Sequence, residues 1–211
     1  MLGANDGIVS IAGLVVGVAS AANNTSVIFA AGVAGIIAGA ISMAAGEYVS
    51  VSSQKDSEKA MLAMEKYELK HFPKEELAEL EDIYKEKGLS DQTAKKVAKE
   101  LTEHDPFMAH VEAELGINPD ELTNPFHAAI ASASAFVTGA SIPLAAILIP
   151  PPSMRIWVTF VSVILALFIT GYLSARVGRA KARKAVARVV VGGALAMAVT
   201  YTIGQIFGIS V

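Results

Sequence analysis

Long uncharged runs of apolar residues occupy both ends of this sequence and are separated by short polar breaks. A helix needs roughly 20 mostly apolar residues to cross about 30 Å of hydrocarbon. Five runs come close to that length, and five of them in 211 residues are hard to explain as buried helices of a soluble protein. We predict membrane-spanning helices at Gly7–Ala22, Thr25–Gly46, Phe126–Ile149, Ile156–Ala175 and Val189–Val211. The first of them can be extended back through Asp6 to the N-terminus.

The middle of the chain has a different pattern, in which polar residues dominate and helix breakers separate short helical segments. Ser52–His71 is rich in helix formers and is predicted to continue the second span beyond the membrane. Proline is common at the start of a helix, glycine follows its end, and serine is a frequent N-cap. These signals predict helices over Lys74–Lys87, over Asp91–His104 with Ser90 as the N-cap, and over Phe107–Leu115.

The charges are distributed as unevenly as the apolar residues. Between Asp56 and Glu121 lie 18 of the 20 acidic residues, so residues 55–121 carry a net charge of −8 and the rest of the chain carries +5. The chain is 53% hydrophobic and has no cysteine, which excludes a disulfide scaffold and a cysteine-ligated metal site. The acidic balance also excludes a basic nucleic-acid-binding protein.

These patterns predict an all-α membrane protein in which five transmembrane helices carry a cytoplasmic helical insert between helices 2 and 3. The predicted domains are residues 1–54 with helices 1 and 2, residues 55–124 with the acidic insert, and residues 125–211 with helices 3 to 5. The spans make the lipid bilayer a partner of the chain.

The orientation follows from the loops, because Lys and Arg accumulate on the cytoplasmic side of membrane proteins. The loop between spans four and five contains six of them, whereas the breaks on the opposite side contain only Arg155. This places the basic loop in the cytoplasm, together with the N-terminus and the acidic insert. With no targeting extension in the sequence, a prokaryotic inner membrane is favoured, or a vacuolar membrane if the source is eukaryotic.

Two acidic residues lie in or beside the predicted spans, where an ionisable group is costly and is a candidate for function. They are Asp6 in the first span and Glu47 at the end of the second. If the two helices are antiparallel about a turn near Asn24, a rise of about 1.5 Å per residue puts Asp6 and Met43 at nearly the same depth. Glu47 follows Met43 by one helical turn on the same face.

Two carboxylates and a thioether suit a metal ion of intermediate softness. Carboxylates bind hard cations and thioethers bind softer ions, so the combination favours Fe²⁺. A carboxylate holds either a proton or a metal ion, so movement of metal one way and of protons the other way would follow. The alternative is that Asp6 caps its helix near the interface and that Met43 only fills space in the core.

Several acidic side chains of the insert also have the spacing of metal ligands. Residues three or four apart share one face of a helix and can converge on one cation. Similar carboxylate helices build the di-iron sites of ferritin-like bundles, but such pairs are also common on plain solvated faces, which are the alternative. The pairs are Glu65 and Glu68, Glu76 and Glu79, and His110 and Glu114.

Small residues and a proline distinguish the spans further. Gly13 and Gly17, and likewise Gly35 and Gly39, are four residues apart, a spacing that lets helices approach closely in lipid. Ordinary packing within the chain explains such pairs equally well. Pro143 is predicted either to break the third span near mid-depth, as in transporters, or to be a tolerated kink without function.

Two segments resemble the vacuolar iron transporter family. The first is Ala4–Ser10, ANDGIVS, followed by Gly13–Val18, GLVVGV. The second is Ser42–Asp56, SMAAGEYVSVSSQKD, at the end of span two. The resemblance is nearly ungapped in these segments and extends over essentially the whole chain, including the insert.

The resemblance implies a homodimer of five-span subunits that moves Fe²⁺ out of the cytosol in exchange for protons, along a path near the two-fold axis. Asp6 and Met43 match the family's transmembrane metal site. The insert is similar to the family's cytoplasmic metal-binding domain, whose acidic ligand positions correspond to Glu65, Glu68, Glu76, Glu79 and Glu114.

The chain differs from the family pattern in two places. The family has a pair of methionines where this chain has His110 and Val111. His110 can still bind Fe²⁺, but a site without a thioether should discriminate less against Mn²⁺ or Zn²⁺. The family usually also has a cytoplasmic helical extension before the first span, whereas only five residues precede Asp6 here.

The leading hypothesis is a proton-coupled transporter, not an enzyme, that exports Fe²⁺ or a related ion such as Mn²⁺, Zn²⁺ or Co²⁺, with Glu47 at the gate. The ion is bound and transported, and no prosthetic group is predicted. The alternatives are a membrane-anchored ferritin-like ferroxidase or iron store, and a metal sensor. The ferroxidase needs two Glu-x-x-His elements, and only Glu68 with His71 provides one.

Overall fold

Helices make up all the regular secondary structure in the part of the chain that the computed structural model describes, residues 2–22 and 24–208. Five of these helices are long and apolar enough to cross a membrane, which confirms the predicted all-α class with five spans. In chain order the helices are α1 Leu2–Ala21, α2 Thr25–His71, α3 Pro73–Glu86, α4 Asp91–His104, α5 Pro106–His110, α6 Pro125–Leu148, α7 Arg155–Val177 and α8 Ala182–Gly208.

The chain divides into two compact units. The span unit comprises Met1–Tyr48 and Phe126–Val211, and the insert unit comprises Val49–Pro125. The second span and the first insert helix are one helix, α2, which is continuous from Thr25 to His71 as predicted.

Helix α1 is the centre of the span unit, because its buried residues belong to both hydrophobic cores. Ile8 packs with Leu167 of α7 and Met197 of α8. Val15 packs in the second core with Phe136 of α6. A helix that is surrounded in this way needs apolar residues on more than one face, which explains why α1 is so rich in alanine, valine and isoleucine.

Glycines on α1 and α2 let the neighbouring helices come close. A Cβ atom added at Gly17 would lie 3.2 Å from the backbone oxygen of Thr200 in α8, and one at Gly13 would lie 3.4 Å from the Thr200 methyl group. Gly35 is packed in the same way against Leu14 of α1. These glycines of the predicted pairs therefore serve packing within the chain.

Helix α6 is continuous across Pro143, so the predicted break at mid-depth is wrong. Pro143 is buried, and the helix extends from Pro125 to Leu148. Just before the proline, the Ser141 hydroxyl donates to the Thr138 carbonyl at 2.7 Å. The carbonyl that loses its amide partner to the proline is that of Gly139, so this hydroxyl bond lies one residue before the interrupted backbone bond.

The insert unit has its own small core, formed where its helices face one another. The predicted N-cap of α4 is confirmed, because the Ser90 hydroxyl accepts from the Thr93 amide at 3.3 Å. Lys87 at the end of α3 donates to the Ala113 carbonyl at 2.9 Å and so holds the end of the insert in place. The fully buried residues of this core include Leu80, Ala94, Ala98 and Val111.

Most helix boundaries lie within two residues of the prediction, and two elements differ by more. Helix α8 begins at Ala182, before the predicted Val189. The basic residues before Val189 end the apolar run, but they can still be helical outside the hydrocarbon. The short helix predicted at Phe107–Leu115 is instead α5 followed by a π-helical turn, Val111–Leu115, that ends at Gly116 with φ of 61°. The predicted end of span five, 209–211, lies outside the described residues.

Gly139→Ala should destabilise the protein strongly, because a methyl group there would collide with the backbone carbonyl of Ala4 where α6 crosses α1. Overpacking usually costs about 1–3 kcal/mol, and a backbone obstacle puts this variant at the upper end. The measurement is the thermal unfolding midpoint in detergent. Gly192→Ala is the matched control, since no atom lies within 4 Å of its added Cβ, and an equal loss in both variants would contradict the expectation.

Candidate metal centre

Glu65 lies on the face of α2 that packs into the insert unit, one turn after the buried Leu62. This spacing of three residues keeps the two side chains on one side of the helix. Only 3% of Glu65 is exposed, which is unusual for an acidic residue without a cationic partner. A carboxylate in this position needs either a proton or a positive ion.

Glu76 approaches from the first turn of α3. Pro73 begins that helix, and the buried Leu80 follows Glu76 by four residues, so both face the interior of the insert. The carboxylate lies near the helix N-terminus, where the helix dipole favours negative charge.

His110 completes the group from the end of α5. Its side chain is fully buried, and Nδ1 lies 3.2 Å from Oε1 of Glu65 and 3.6 Å from Oε2 of Glu76. Neither ring nitrogen has a hydrogen-bond partner among the described residues, and Oε1 of Glu65 has none either. Buried ligand atoms of Glu65 and His110 that face each other without hydrogen bonds, with a Glu76 oxygen beside them, are the arrangement expected of an ion-binding site.

The three residues form a group, here called the insert cluster, that could hold a metal ion. Their ligand atoms all lie within 4.8 Å of one another. One imidazole nitrogen and two carboxylate oxygens, without sulfur, suit divalent ions such as Fe²⁺, Mn²⁺, Co²⁺ or Zn²⁺.

Burial and crowding of like charges favour the protonated form of the two carboxyl groups of the insert cluster. Burial, followed by the charges of Glu114 and Glu76, raises the pKa of Glu65 to about 7. Burial and the charge of Glu79 raise the pKa of Glu76. Burial lowers the pKa of His110, so the imidazole is kept neutral, the form that binds a metal.

The other predicted acids of the insert surround this group. The Glu114 carboxyl is close enough to hydrogen-bond to Glu65, and burial followed by the charge of Glu79 raises the pKa of Glu114. Glu68 also contributes to the raised pKa of Glu65 and Glu76. The structure therefore brings together all six insert residues that the sequence predicted, with three of them buried and the other three around them.

His71, His104 and Met108 of the insert unit do not belong to the insert cluster. His71 stacks on Tyr67, with ring centroids 4.0 Å apart, and its Nδ1 lies 2.7 Å from the Tyr67 carbonyl oxygen. His104 is exposed. Met108 and His104 line a different cavity of the insert, so the thioether does not substitute for the family's methionines beside His110.

Acidification should weaken metal binding by the protein. Between about pH 8 and pH 6 the protonated fraction of a carboxyl with a pKa near 7 rises from about one-tenth to about nine-tenths, and affinity should fall roughly tenfold. Isothermal titration with Mn²⁺ at both pH values measures this. Glu65→Gln should bind weakly at both, and a wild-type affinity independent of pH would contradict the raised pKa.

The same carboxyl should make the metal-free protein less stable as the pH rises. The pKa of Glu65 is higher in the folded protein than its ordinary 4.5. The proton that Glu65 keeps in the folded state therefore stabilises the protein at low pH, and this stabilisation is lost as the pH rises through about 7. His110 has the opposite effect below its ordinary 6.5. We expect the thermal midpoint to rise from about pH 8 to pH 6.5, a trend that Glu65→Gln should remove.

A second group of candidate ligands lies in the span unit between α1, α2 and α6. Asp6 and Met43 line one cavity of about 250 Å³. A Cβ atom added at Gly3 would lie 3.5 Å from the Met43 methyl carbon, so Met43 reaches α1 within one turn of Asp6. The structure thus brings together the carboxylate and the thioether that the antiparallel register predicted to share one depth.

Glu47 does not line this cavity and is exposed in the isolated chain. The cavity has polar residues that the sequence analysis missed, Ser10 and Ser42. Ser10 lies one helical turn after Asp6, and Ser42 immediately precedes Met43. A search for hydroxyls within one turn of the two ligands would have found both.

Comparisons with known proteins agree with the resemblance in the sequence. The profile of the VIT family matches residues 1–205. A vacuolar iron transporter of Acanthamoeba castellanii is 43% identical over 206 residues, which are 97% of this chain and 76% of the relative. Vacuolar iron transporter homolog 2 of Arabidopsis thaliana is 36% identical over 99% of this chain and 83% of its own.

Proposed function

The chain belongs to the VIT family, and from that membership we propose that it is a proton-coupled transporter that exports Fe²⁺ from the cytosol. The insert cluster, Glu65, Glu76 and His110, collects the ion on the cytoplasmic side. Asp6 and Met43 carry it across the span unit while protons move the other way. The relatives named as vacuolar iron transporters support iron as the principal substrate.

The observation that carries this proposal is the cavity lined by both Asp6 and Met43. A leucine would pack among spanning helices better than a carboxylate or a thioether does. The presence of both groups in one cavity therefore indicates a function. Among the described residues, no hydrogen bond ties the Asp6 side chain in place; the Ser10 hydroxyl donates to the Asp6 backbone carbonyl instead. The carboxylate is therefore free to exchange a proton for an ion.

The charges of the span unit support the proposed proton coupling. Asp6 and Glu47 are the only acids in residues 1–48 and 126–211. If one divalent ion binds to Asp6, a positive charge enters a region of low dielectric, and its exit leaves a bare carboxylate that is costly there. A returning proton removes that cost, so each export event favours the uptake of a proton.

A homodimer is part of this proposal, because Asp6 is exposed in the isolated chain. A charge on the outside of a spanning helix would face hydrocarbon, which is expensive. The neighbouring face of α2 is also exposed and apolar, with Ile37 55% and Ile41 65% exposed. A second copy of the chain covers this surface and keeps the Asp6 cavity away from lipid.

The proposal is tested with the purified chain in liposomes that contain a fluorescent metal indicator. Fe²⁺, kept reduced without oxygen, should move in the direction opposite to an imposed proton gradient, and collapse of that gradient with an ionophore should stop the flux. Mn²⁺, Co²⁺ and Zn²⁺ are compared under the same gradient. Flux that ignores the gradient would refute proton coupling, and oxygen consumption on Fe²⁺ addition without any flux would indicate an oxidase.

A further inference from the structure

The turn between α7 and α8 concentrates positive charge that the proposed transport does not use. No acidic residue occurs after Glu121, and none of these cations forms an ion pair with a described residue. Like charges this close repel one another, so the turn attracts anions. Its basic residues are Arg176, Arg179, Lys181, Arg183, Lys184 and Arg188.

Arg179 occupies a backbone conformation that favours glycine. Its φ is +50°, and it is the only non-glycine residue with positive φ in the described part of the chain. It stands where a helix commonly ends with glycine: the Ala180 amide donates to the Ala175 carbonyl at 2.9 Å, and the Arg179 amide to the Arg176 carbonyl at 3.3 Å. A residue with a Cβ atom is strained in this conformation, and a glycine would not be.

An apolar groove between α7 and α8 leads to this turn. The groove has a volume of about 470 Å³, and its wall includes Phe168, Val190 and, at the end nearest the turn, Arg183. Tyr172 also lines it, and its hydroxyl accepts from Nε of Arg176 at 3.0 Å. An apolar groove that ends in arginines is complementary to an anionic phospholipid. The acyl chain matches the apolar wall, and the phosphate matches the arginines.

The start of α8 adds backbone donors at the same point. The helix begins at Ala182 and has 27 residues, and its dipole favours an anion at that end. The Lys184 and Ala185 amides donate to the Lys181 carbonyl, which leaves the Ala182 and Arg183 amides without a partner within the helix. Arg183 is on its first turn. Phosphate oxygens would thus meet guanidinium groups and backbone amides together.

We propose that this groove binds an anionic phospholipid of the leaflet on the side of the basic loop. One acyl chain lies along Phe168 and Val190, and the phosphate is held by Arg179, Arg183 and the first amides of α8. This site is separate from the metal path, because none of its residues lines the Asp6 cavity. The lipid stabilises the α7–α8 pair by neutralising the charge of the turn.

The test uses the full chain in detergent with phosphatidylglycerol or phosphatidylcholine of identical acyl chains. Native mass spectrometry counts bound lipid, and thermal unfolding measures stabilisation. Phosphatidylglycerol should bind and raise the unfolding midpoint, and phosphatidylcholine should do neither. Arg179→Gly with Arg183→Gln should reduce phosphatidylglycerol binding roughly 25-fold, at about fivefold for each basic residue.

The single variant Arg179→Gly separates loss of lipid binding from loss of folding, because glycine adopts a positive φ without strain. Without lipid its midpoint should equal or exceed that of the wild type, whereas its gain from phosphatidylglycerol should shrink. Ala187→Trp, which fills the groove wall without changing charge, should also reduce lipid binding. Lys96→Gln with Lys99→Gln, on exposed positions of α4, is the control of equal charge and should bind lipid normally.

Four outcomes would overturn the proposal. Equal binding of both lipids would show a groove that selects only acyl chains. Equal stabilisation by glycerol phosphate would show a site for a free phosphate and not for a lipid. Equal loss in the α4 control would show unspecific attraction. A change of the dimer fraction by Ala187→Trp, with lipid binding intact, would show that a second copy covers the groove.

Discussion

Asp6→Asn should reduce metal flux in liposomes to the level of protein-free vesicles while the protein stays folded. The amide has the shape of the carboxylate but neither binds a proton at neutral pH nor balances the charge of a divalent ion. Loss of an interaction of about 3 kcal/mol or more corresponds to at least about a 100-fold loss of flux. Because the Asp6 side chain lines a cavity and has no hydrogen bond that a described residue provides, the unfolding midpoint should change little.

Asp120→Asn is the matched control for this prediction. Asp120 is exposed, and its backbone amide, not its carboxylate, donates to the Asn118 side chain at 3.1 Å. Flux should therefore remain normal. Wild-type flux in Asp6→Asn would remove Asp6 from the mechanism, and loss of the folded state would be visible as a lower midpoint and not as a selective loss of flux.

Met43→Leu separates the role of the thioether from that of the carboxylate. Leucine keeps the volume and apolar character of methionine but cannot donate to a metal. Flux of Fe²⁺ and Co²⁺ should fall more than flux of Mn²⁺, because the harder ion depends less on a sulfur ligand. Equal reduction for all three ions would indicate that Met43 shapes the cavity of the span unit without binding the ion.

His110→Ala should remove high-affinity metal binding to the insert cluster. The imidazole is the only nitrogen ligand among the three residues, and its loss should cost more than the roughly 10- to 100-fold that loss of an outer-shell partner costs. It would also leave the Glu65 and Glu76 carboxylates to repel each other. Titration calorimetry with Fe²⁺ or Co²⁺ on the full chain measures the change.

The controls for this prediction address folding and charge. His104→Ala removes an exposed histidine of the same unit and should bind metal normally. His110→Gln keeps a polar ligand atom in the buried site, which limits the cavity left behind, and should bind with intermediate affinity. If His110→Ala bound Fe²⁺ as tightly as the wild type, the carboxylates alone would form the site.

The insert shows why helical spacing by itself could not select a metal site. Every pair that the sequence predicted has at least one member near the cluster, yet Glu65 and Glu76 are buried whereas Glu79 and Glu114 are exposed. Spacing of three or four residues reports only which face of a helix two residues share. Which face is turned inwards depends on the packing of α2, α3 and α5, and therefore on contacts far apart in the chain.

The span unit was predictable to a greater extent, since lipid imposes stricter rules on the sequence than water does. Uncharged length alone located five helices, and the tight turn at Asn24 set the register that puts Asp6 level with Met43. Glu47 does not share the cavity of that pair. Its side chain lies one turn further along α2 and outside the cavity, so its proposed place at the gate stays a prediction.

The sequence by itself determined where this chain can cross a membrane, where its acidic helices begin and end, and that Asp6 and Met43 lie near one depth, because hydrophobic length and helix signals are local properties of the chain. Only the tertiary structure decided that His110 meets Glu65 and Glu76, that α6 is continuous across Pro143, and that Arg179 adopts a positive φ where α7 ends. These features arise where separate helices converge, and the angles at which they do so depend on side-chain packing that no local pattern records.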